Sequence, residues 1–191
     1  RIKDLDEEFL YFNDDMFPMK ECKPTDFFRN GKGVIRVSYH VLALDMFKQI
    51  CRNSTRAARE ALGLRPTFYF MRPQHICSPM FKSECEELYN KVEPAIRKSI
   101  SRVRTGENLN QYLFLDYMYL KGKIINERIS KKHFSVGVVS ANKLRKFVTR
   151  PTHKMACIND VQLTEERYVE LRKVLLDSFD ELLPNKSKFE I

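Results

Sequence analysis

Strand-like and helix-like segments alternate along most of this 191-residue chain, and that alternation limits the folds open to it. Residues 9–12, 34–39, 67–71, 134–139 and 155–158 are short runs rich in β-branched and aromatic side chains. Between them lie helical patterns. Residues 43–62 end at Gly63, a stop signal. Ser78-Pro79 reads as the cap and first position of a helix running to residue 92. Residues 107–120 read as a buried helix, dense in apolar and aromatic side chains. Thr164 caps a long final helix with Glu165 and Glu166 in its first turn, where the helix dipole favours acids. Tyr168, Leu171, Val174, Leu175, Phe179 and Leu182 give that helix one apolar face, and Pro184 ends it. The alternation predicts an α/β fold: a mixed, largely parallel sheet flanked by helices, in a single domain.

Two of the strands end in the same way. "FLYFNDD" is an apolar run closed by Asn13, Asp14 and Asp15, and "MACIND" is an apolar run closed by Asn159 and Asp160. In open parallel sheets, ligands bind beyond the carboxyl ends of the strands, so the two acidic clusters are expected around one crevice. Paired carboxylates at a strand end suit Mg²⁺ or Mn²⁺ held against a diphosphate. Asn and Asp are also ordinary turn residues, and on residue type alone the turn reading stands first.

Other groups have the same two-sided character. His75, in "RPQHICSP" near Arg72, suits a general base or a phosphate contact, but a hydrogen-bonded loop histidine is the commoner case. Arg97, Lys98, Arg102 and Arg104 precede a helix; they can grip phosphate or form a solvated face. The glycines of "GKG" at 31–33 are too few for a phosphate-binding loop and read as a turn.

Composition narrows the class. Lys and Arg number 34 against 25 Asp and Glu, a net charge of +9, which favours anionic partners without choosing among them. No apolar run approaches the roughly 20 residues of a membrane span, and no signal-like apolar segment is present. The five cysteines are odd in number and include no C-x-x-C pair, which argues against a zinc site or a disulfide framework and for a reducing compartment.

The motifs, taken in order, resemble the Stealth family, the sugar-1-phosphate transferases of bacterial capsule synthesis related to the animal GlcNAc-1-phosphotransferase. "FLYFNDDMFPMKECKPTDFF" resembles that family's second conserved region. "HICSP" with "ISRVRTGENLNQYLFLDYMYLKG" resembles the third, and "MACINDVQLTEERYVELRKVLLDSFDELLPNKSKFE" the fourth. The first region would precede Arg1, so the resemblance implies that residues 1–191 are the C-terminal part of a catalytic domain. The short spacing from Asn13 to His75 is similar to the bacterial branch.

The resemblance implies transfer of a sugar-1-phosphate from a UDP-sugar to a glycan hydroxyl, forming a phosphodiester in capsular or exopolysaccharide synthesis. Asp14, Asp15, His75 and Arg104 map onto its catalytic positions, and Asn13, Asn159 and Asp160 onto substrate-binding ones. Asp14 and Asp15 would hold the Mg²⁺ or Mn²⁺. The expected partners are the UDP-sugar and a glycan acceptor, without nucleic acid. The expected location is the cytoplasm, at the inner face of the membrane through the basic surface. Two other readings use the same residues: a metal-dependent phosphodiesterase or nuclease, and a non-catalytic module binding anionic polymers. For the cysteines, titration with a thiol reagent under denaturing, non-reducing conditions should find all five free; finding one would mean two disulfides.

Overall fold

The computed structural model describes residues 2–159 and 163–188. In chain order its elements are β1 (Glu8–Tyr11), β2 (Met16–Pro18), a 3₁₀ turn (Pro24–Asp26), β3 (Phe28–Arg29), β4 (Lys32–Val34), β5 (Val37–His40) and α1 (Met46–Ala61). There follow β6 (Phe70–Pro73), β7 (Ser78–Phe81), α2 (Lys82–Ser99), α3 (Tyr112–Leu120), β8 (Ile124–Ile125), β9 (Lys131–Ser135), α4 (Ala141–Thr149), β10 (Met155–Asn159) and α5 (Glu165–Leu182). They form two compact units interleaved in sequence. One takes the chain up to residue 12 and residues 23–129; the other takes residues 13–22 and the chain from residue 130 on.

The fold is mixed α/β, but it is not the largely parallel sheet that the alternation predicts. The described strands form several small sheets, and only β4–β8 and β9–β10 pair in parallel. The pairs β1–β7, β2–β10, β3–β4 and β5–β6 are antiparallel. The cause is local. Parallel neighbours need a long crossover, whereas tight turns return the chain antiparallel. Asn30 (φ 52°) and Gly31 (φ 67°) make such a turn between β3 and β4, the left-handed pair that two-residue hairpins require. Ser78-Pro79 is a second correction. It lies in β7, whose four residues are all buried, and α2 begins only at Lys82. Pro tolerates a strand where no ladder N–H is needed, as in a two-stranded sheet.

In the first unit, α1, α2 and α3 share a core of Ala58, Leu88, Val92, Leu113 and Tyr117. Asp116 of α3 is fully buried beside this core. Thr55 of α1 donates its hydroxyl to Asp116 Oδ2 at 2.6 Å and accepts the Met71 N–H at 2.9 Å, so one polar chain ties α3 to α1 and β6. Burial raises the Asp116 carboxyl well above the usual range, against the smaller opposing effect of the Thr55 hydrogen bond.

In the second unit, Phe134, Val136, Leu144, Phe147, Ala156 and Ile158 form the core with Leu171 of α5, and Leu175, Phe179 and Leu182 pack against it. Thr164 caps α5 as expected, its Oγ1 accepting the Arg167 N–H. The apolar face is also as read, except that Tyr168 is exposed and Ser178 is buried, its hydroxyl donating to the Val174 carbonyl. No helix among the described residues is long and apolar enough to cross a membrane.

Two measurements check this packing. Leu171 is 2% exposed, so Leu171→Ala should cost about 2–5 kcal/mol in a denaturant melt, and the half-buried Leu175→Ala clearly less. Asp116 carries a raised native pKa, so the native state holds a proton that the unfolded chain releases above about pH 4. Wild-type stability should therefore fall as pH rises from there toward the native value. Asp116→Asn keeps an acceptor for Thr55 without the proton; urea melts at pH 5 and pH 8 should show a flatter dependence than wild type.

Candidate active site

The Asn-Asp-Asp cluster sits in the second unit. The Met16 N–H donates to the Asn13 carbonyl at 3.2 Å, so Asp14 and Asp15 occupy the middle of a turn. The apolar residues after the turn anchor it. β2 runs antiparallel to β10, with Met16 opposite Cys157, and the Ile158 N–H extends the ladder to the Asp15 carbonyl at 2.8 Å. Phe17 and Met19, two apart and so on one side of the strand, join the core of the unit; Phe17 lies 5.3 Å from the Phe179 ring, centroid to centroid. The turn is thus held against the carboxyl end of β10, beside Asn159.

The sequence predicts the two acidic clusters around one crevice at the edge of a single parallel sheet. The structure brings Asp15 to the end of β10 through an antiparallel pairing, in which the start of one strand meets the end of the other. Asp14 is exposed, whereas Asn13, Asp15 and Asn159 are half-buried. Asp160 and the "FE" of the tail motif, Phe189 and Glu190, lie outside the described residues.

Cys157 is a functional neighbour that the sequence did not mark. It is 1% exposed, and its Sγ–H donates to Asp15 Oδ2 at 3.1 Å. Burial first, and the Asp15 carboxylate second, push this thiol up to about 12. At neutral pH it is therefore a hydrogen-bond donor to that carboxylate. All five cysteines are free thiols.

His75 and Arg104 belong to the first unit. His75 lies on the loop between β6 and β7, and its Nδ1 is 3.1 Å from the hydroxyl of the fully buried Tyr112, in hydrogen-bond contact. Phe47 packs edge-on against both the His75 and the Tyr112 rings, and the Arg72 guanidinium sits 5.3 Å above the Phe47 ring. The Tyr112 hydrogen bond and the Phe47 ring contact both hold the imidazole in place. Tyr112 and Asp116 are one turn apart on α3, so the helix that holds His75 is itself tied down through Thr55. The signal for this face was the single Asp in the apolar run "YLFLDYMYL".

Arg104 is exposed on the loop between α2 and α3. Of the basic run that contains it, Arg97 is paired with Glu93 one turn back at 2.8 Å.

The oxygen donors of Asp14 and Asp15 fit a hard cation such as Mg²⁺ or Mn²⁺.

No protein-family model matches the chain. Curated relatives do. The exopolysaccharide phosphotransferase cps2G of Lactiplantibacillus plantarum is 25% identical across 99% of this chain and 65% of its own length. The receptor polysaccharide phosphotransferase WefC of Streptococcus oralis is 26% identical across 100% of this chain and 67% of its own length. The capsular polysaccharide phosphotransferase cps12A of Actinobacillus pleuropneumoniae reaches 31% across 64% of this chain and 35% of its own length. The chain spans about two thirds of the length of the first two relatives. At about one identical residue in four, sustained from end to end, the chain is similar to capsular and exopolysaccharide phosphotransferases.

Proposed function

We propose that this chain takes part in the transfer of a sugar-1-phosphate from a UDP-sugar to a hydroxyl of a growing capsular or exopolysaccharide. The observation that carries the reading is the Asp15 turn, held at the end of β10 by the Ile158 N–H and hydrogen-bonded by Cys157, in a chain aligned from end to end with polysaccharide phosphotransferases. Acids beside a strand end are where a diphosphate and its cation are met.

In this reading the acceptor oxygen attacks the phosphorus that bears the sugar. The bond from that phosphorus to the bridging oxygen breaks, and UMP leaves with the electron pair. His75, its ring fixed by Tyr112 and Phe47, takes the acceptor proton. Arg104 balances charge on the transferred group. Asn13, Asn159 and Asp160 hold the donor. Asp14 and Asp15 hold the Mg²⁺ or Mn²⁺, which when bound neutralises the diphosphate charge. The excess of 34 Lys and Arg over 25 Asp and Glu suits work on anionic substrates, and attachment to the anionic inner face of the cell membrane from the cytoplasm.

The test is to incubate the full-length protein with a panel of UDP-sugars, Mg²⁺ and an oligosaccharide acceptor, and to assay UMP. Asp15→Asn keeps the volume and removes a charge, so transfer should fall about a thousandfold, the rate equivalent of losing several kcal/mol of charge stabilisation, with the melting temperature little changed. Nucleic-acid cleavage with no UMP from any UDP-sugar would establish the nuclease reading instead.

A further inference from the structure

The first unit contains a cavity of about 360 Å³ that has no part in the chemistry above. Its floor is the solvent side of α1 and the loop that follows. Arg52, Arg56 and Arg59, at i, i+4 and i+7, form one stripe on that helix and line the cavity, opposite Thr67 and Tyr69. The volume falls within the range of small-ligand sites, about 300–1,000 Å³.

The charge of the stripe is not neutralised by ion pairs among the described residues. Neither Arg52 nor Arg56 has an ion-pair partner among the described residues. Some cations elsewhere in the same unit are paired: Lys91 with Glu87, Arg97 with Glu93, and Lys121 with both Glu84 and Glu87. Glu60 also lines the cavity but makes no ion pair with the stripe among the described residues. Arg59 is held in place, its Nε donating to the Arg65 carbonyl at 2.8 Å. The turn beneath it is closed by Gly63 at φ 66° and by the Leu64 N–H donating to the Arg59 carbonyl.

The far wall is aromatic and rigid. Tyr69 is gripped edge-on by Tyr39 (5.2 Å between centroids) and Phe68 (5.6 Å), and Tyr39 is tied to Tyr119 through their hydroxyls at 2.9 Å. Phe68 is 83% exposed and Tyr39 53%, so the wall continues onto the surface as an aromatic ledge. Unpaired guanidinium groups bind phosphate oxygens in pairs of hydrogen bonds. A fixed ring offers an apolar face to the C–H side of a sugar. Together they match a ligand that alternates anionic phosphate with sugar.

We propose that the α1 cavity, with Arg52, Arg56 and Tyr69, is a binding subsite for a phosphodiester-linked oligosaccharide. This rests on the phosphotransferase reading in one respect: a chain extended by sugar-1-phosphate carries a phosphodiester in each repeat, and such a chain is what the enzyme must hold between additions. The subsite binds the elongating glycan away from the transfer site and takes no part in bond breaking.

The experiment is calorimetric titration of the full-length protein. The probes are a short hexose oligomer joined by phosphodiesters, the same oligomer without phosphate, and a single-stranded oligonucleotide of equal charge. In parallel, UMP release is measured with a short neutral acceptor. Arg52→Ala/Arg56→Ala should weaken phosphoglycan binding by about tenfold or more, the loss of one or more charge-assisted contacts, and leave UMP release from the neutral acceptor unchanged. Tyr69→Ala should weaken the phosphoglycan more than the oligonucleotide. Arg52→Gln/Arg56→Gln, with a longer side chain, repeats the test if the alanine pair fails to fold. Unchanged phosphoglycan affinity in the double variants would overturn the proposal, as would equal binding of the unphosphorylated oligomer. It would also fall if the oligonucleotide bound as tightly and were lost in parallel. Binding that depends on Arg52 and Arg56 without any UMP release would uphold the subsite and strike the transferase reading alone.

Discussion

The antiparallel pairing of β2 with β10 is the constraint on which the second unit depends. It is short, with Pro18, Phe17 and Met16 opposite Met155, Ala156 and Cys157. A few such hydrogen bonds contribute only about 0.5–1.5 kcal/mol each, so the ladder holds because of what it buries. Met16 and Met19 are almost wholly excluded from solvent, and Phe17 packs on Phe179 of α5. This explains why two adjacent carboxylates stand inside an otherwise apolar segment. The apolar residues after them fix the turn, and the turn displays them. Turn chemistry and site chemistry are therefore not alternatives for Asp14 and Asp15: the turn leaves Asp14 exposed and sets the Asp15 carboxylate against the Cys157 thiol.

In the first unit, α3 has the equivalent role. It buries an aromatic and aliphatic surface, and two of its polar groups, one turn apart, tie it to its neighbours. Tyr112 reaches His75, and Asp116 reaches Thr55. A buried ionised carboxylate without a cation would be costly. Asp116 avoids the cost by keeping its proton, and as a neutral acid it still links three elements through Thr55 and the Met71 N–H. Rigidity under the β6–β7 loop is thereby produced by hydrogen bonding at a point where aliphatic packing alone would let α3 slide. The role proposed for His75, taking a substrate proton at a fixed distance, needs that rigidity more than it needs stability.

How far the sequence revealed this depended on how local the cause was. The α5 helix was legible down to its Thr164 cap and most of its apolar face, because caps and periodicity act within a few residues. The turn at Asn13 was legible for the same reason. Asp15 meets the end of β10 through an antiparallel pairing and not at the edge of one parallel sheet, since the direction of strand pairing depends on distant contacts that no run of side chains records. Asn30-Gly31, a hairpin signal in plain sight, would have argued against a largely parallel sheet. Ser78-Pro79 satisfies the rules for a helix start and for a two-stranded sheet alike, and only burial against the rest of the unit selects the strand. Cys157 carried no signal at all. Its role comes from the register that sets Met16 opposite it, and so from the whole of the β2–β10 pairing.

The net charge shows the same division between what a sequence counts and what a fold arranges. A surplus of cations was evident from composition, but its location was not. Glu84 and Glu87 of α2 draw in Lys91 and Lys121, and the three contacts to Glu87 hold its carboxyl down to about 2, the Lys121 hydrogen bond first, then Lys91 and Tyr117. That side of the unit is electrically quiet despite its lysines. On α1 the spacing is the reverse: Arg52, Arg56 and Arg59 share a stripe that has only Glu60 beside it, and the helix leaves them unpaired among the described residues. Like charges at i and i+4 cost a helix a few tenths of a kcal/mol, a cost that α1 meets through its buried side, where Ile50, Cys51, Ser54, Thr55 and Ala58 are enclosed. A helix with so firm an inner face can carry an outward strip of unbalanced cations, and the field of that strip then acts on whatever anion approaches it.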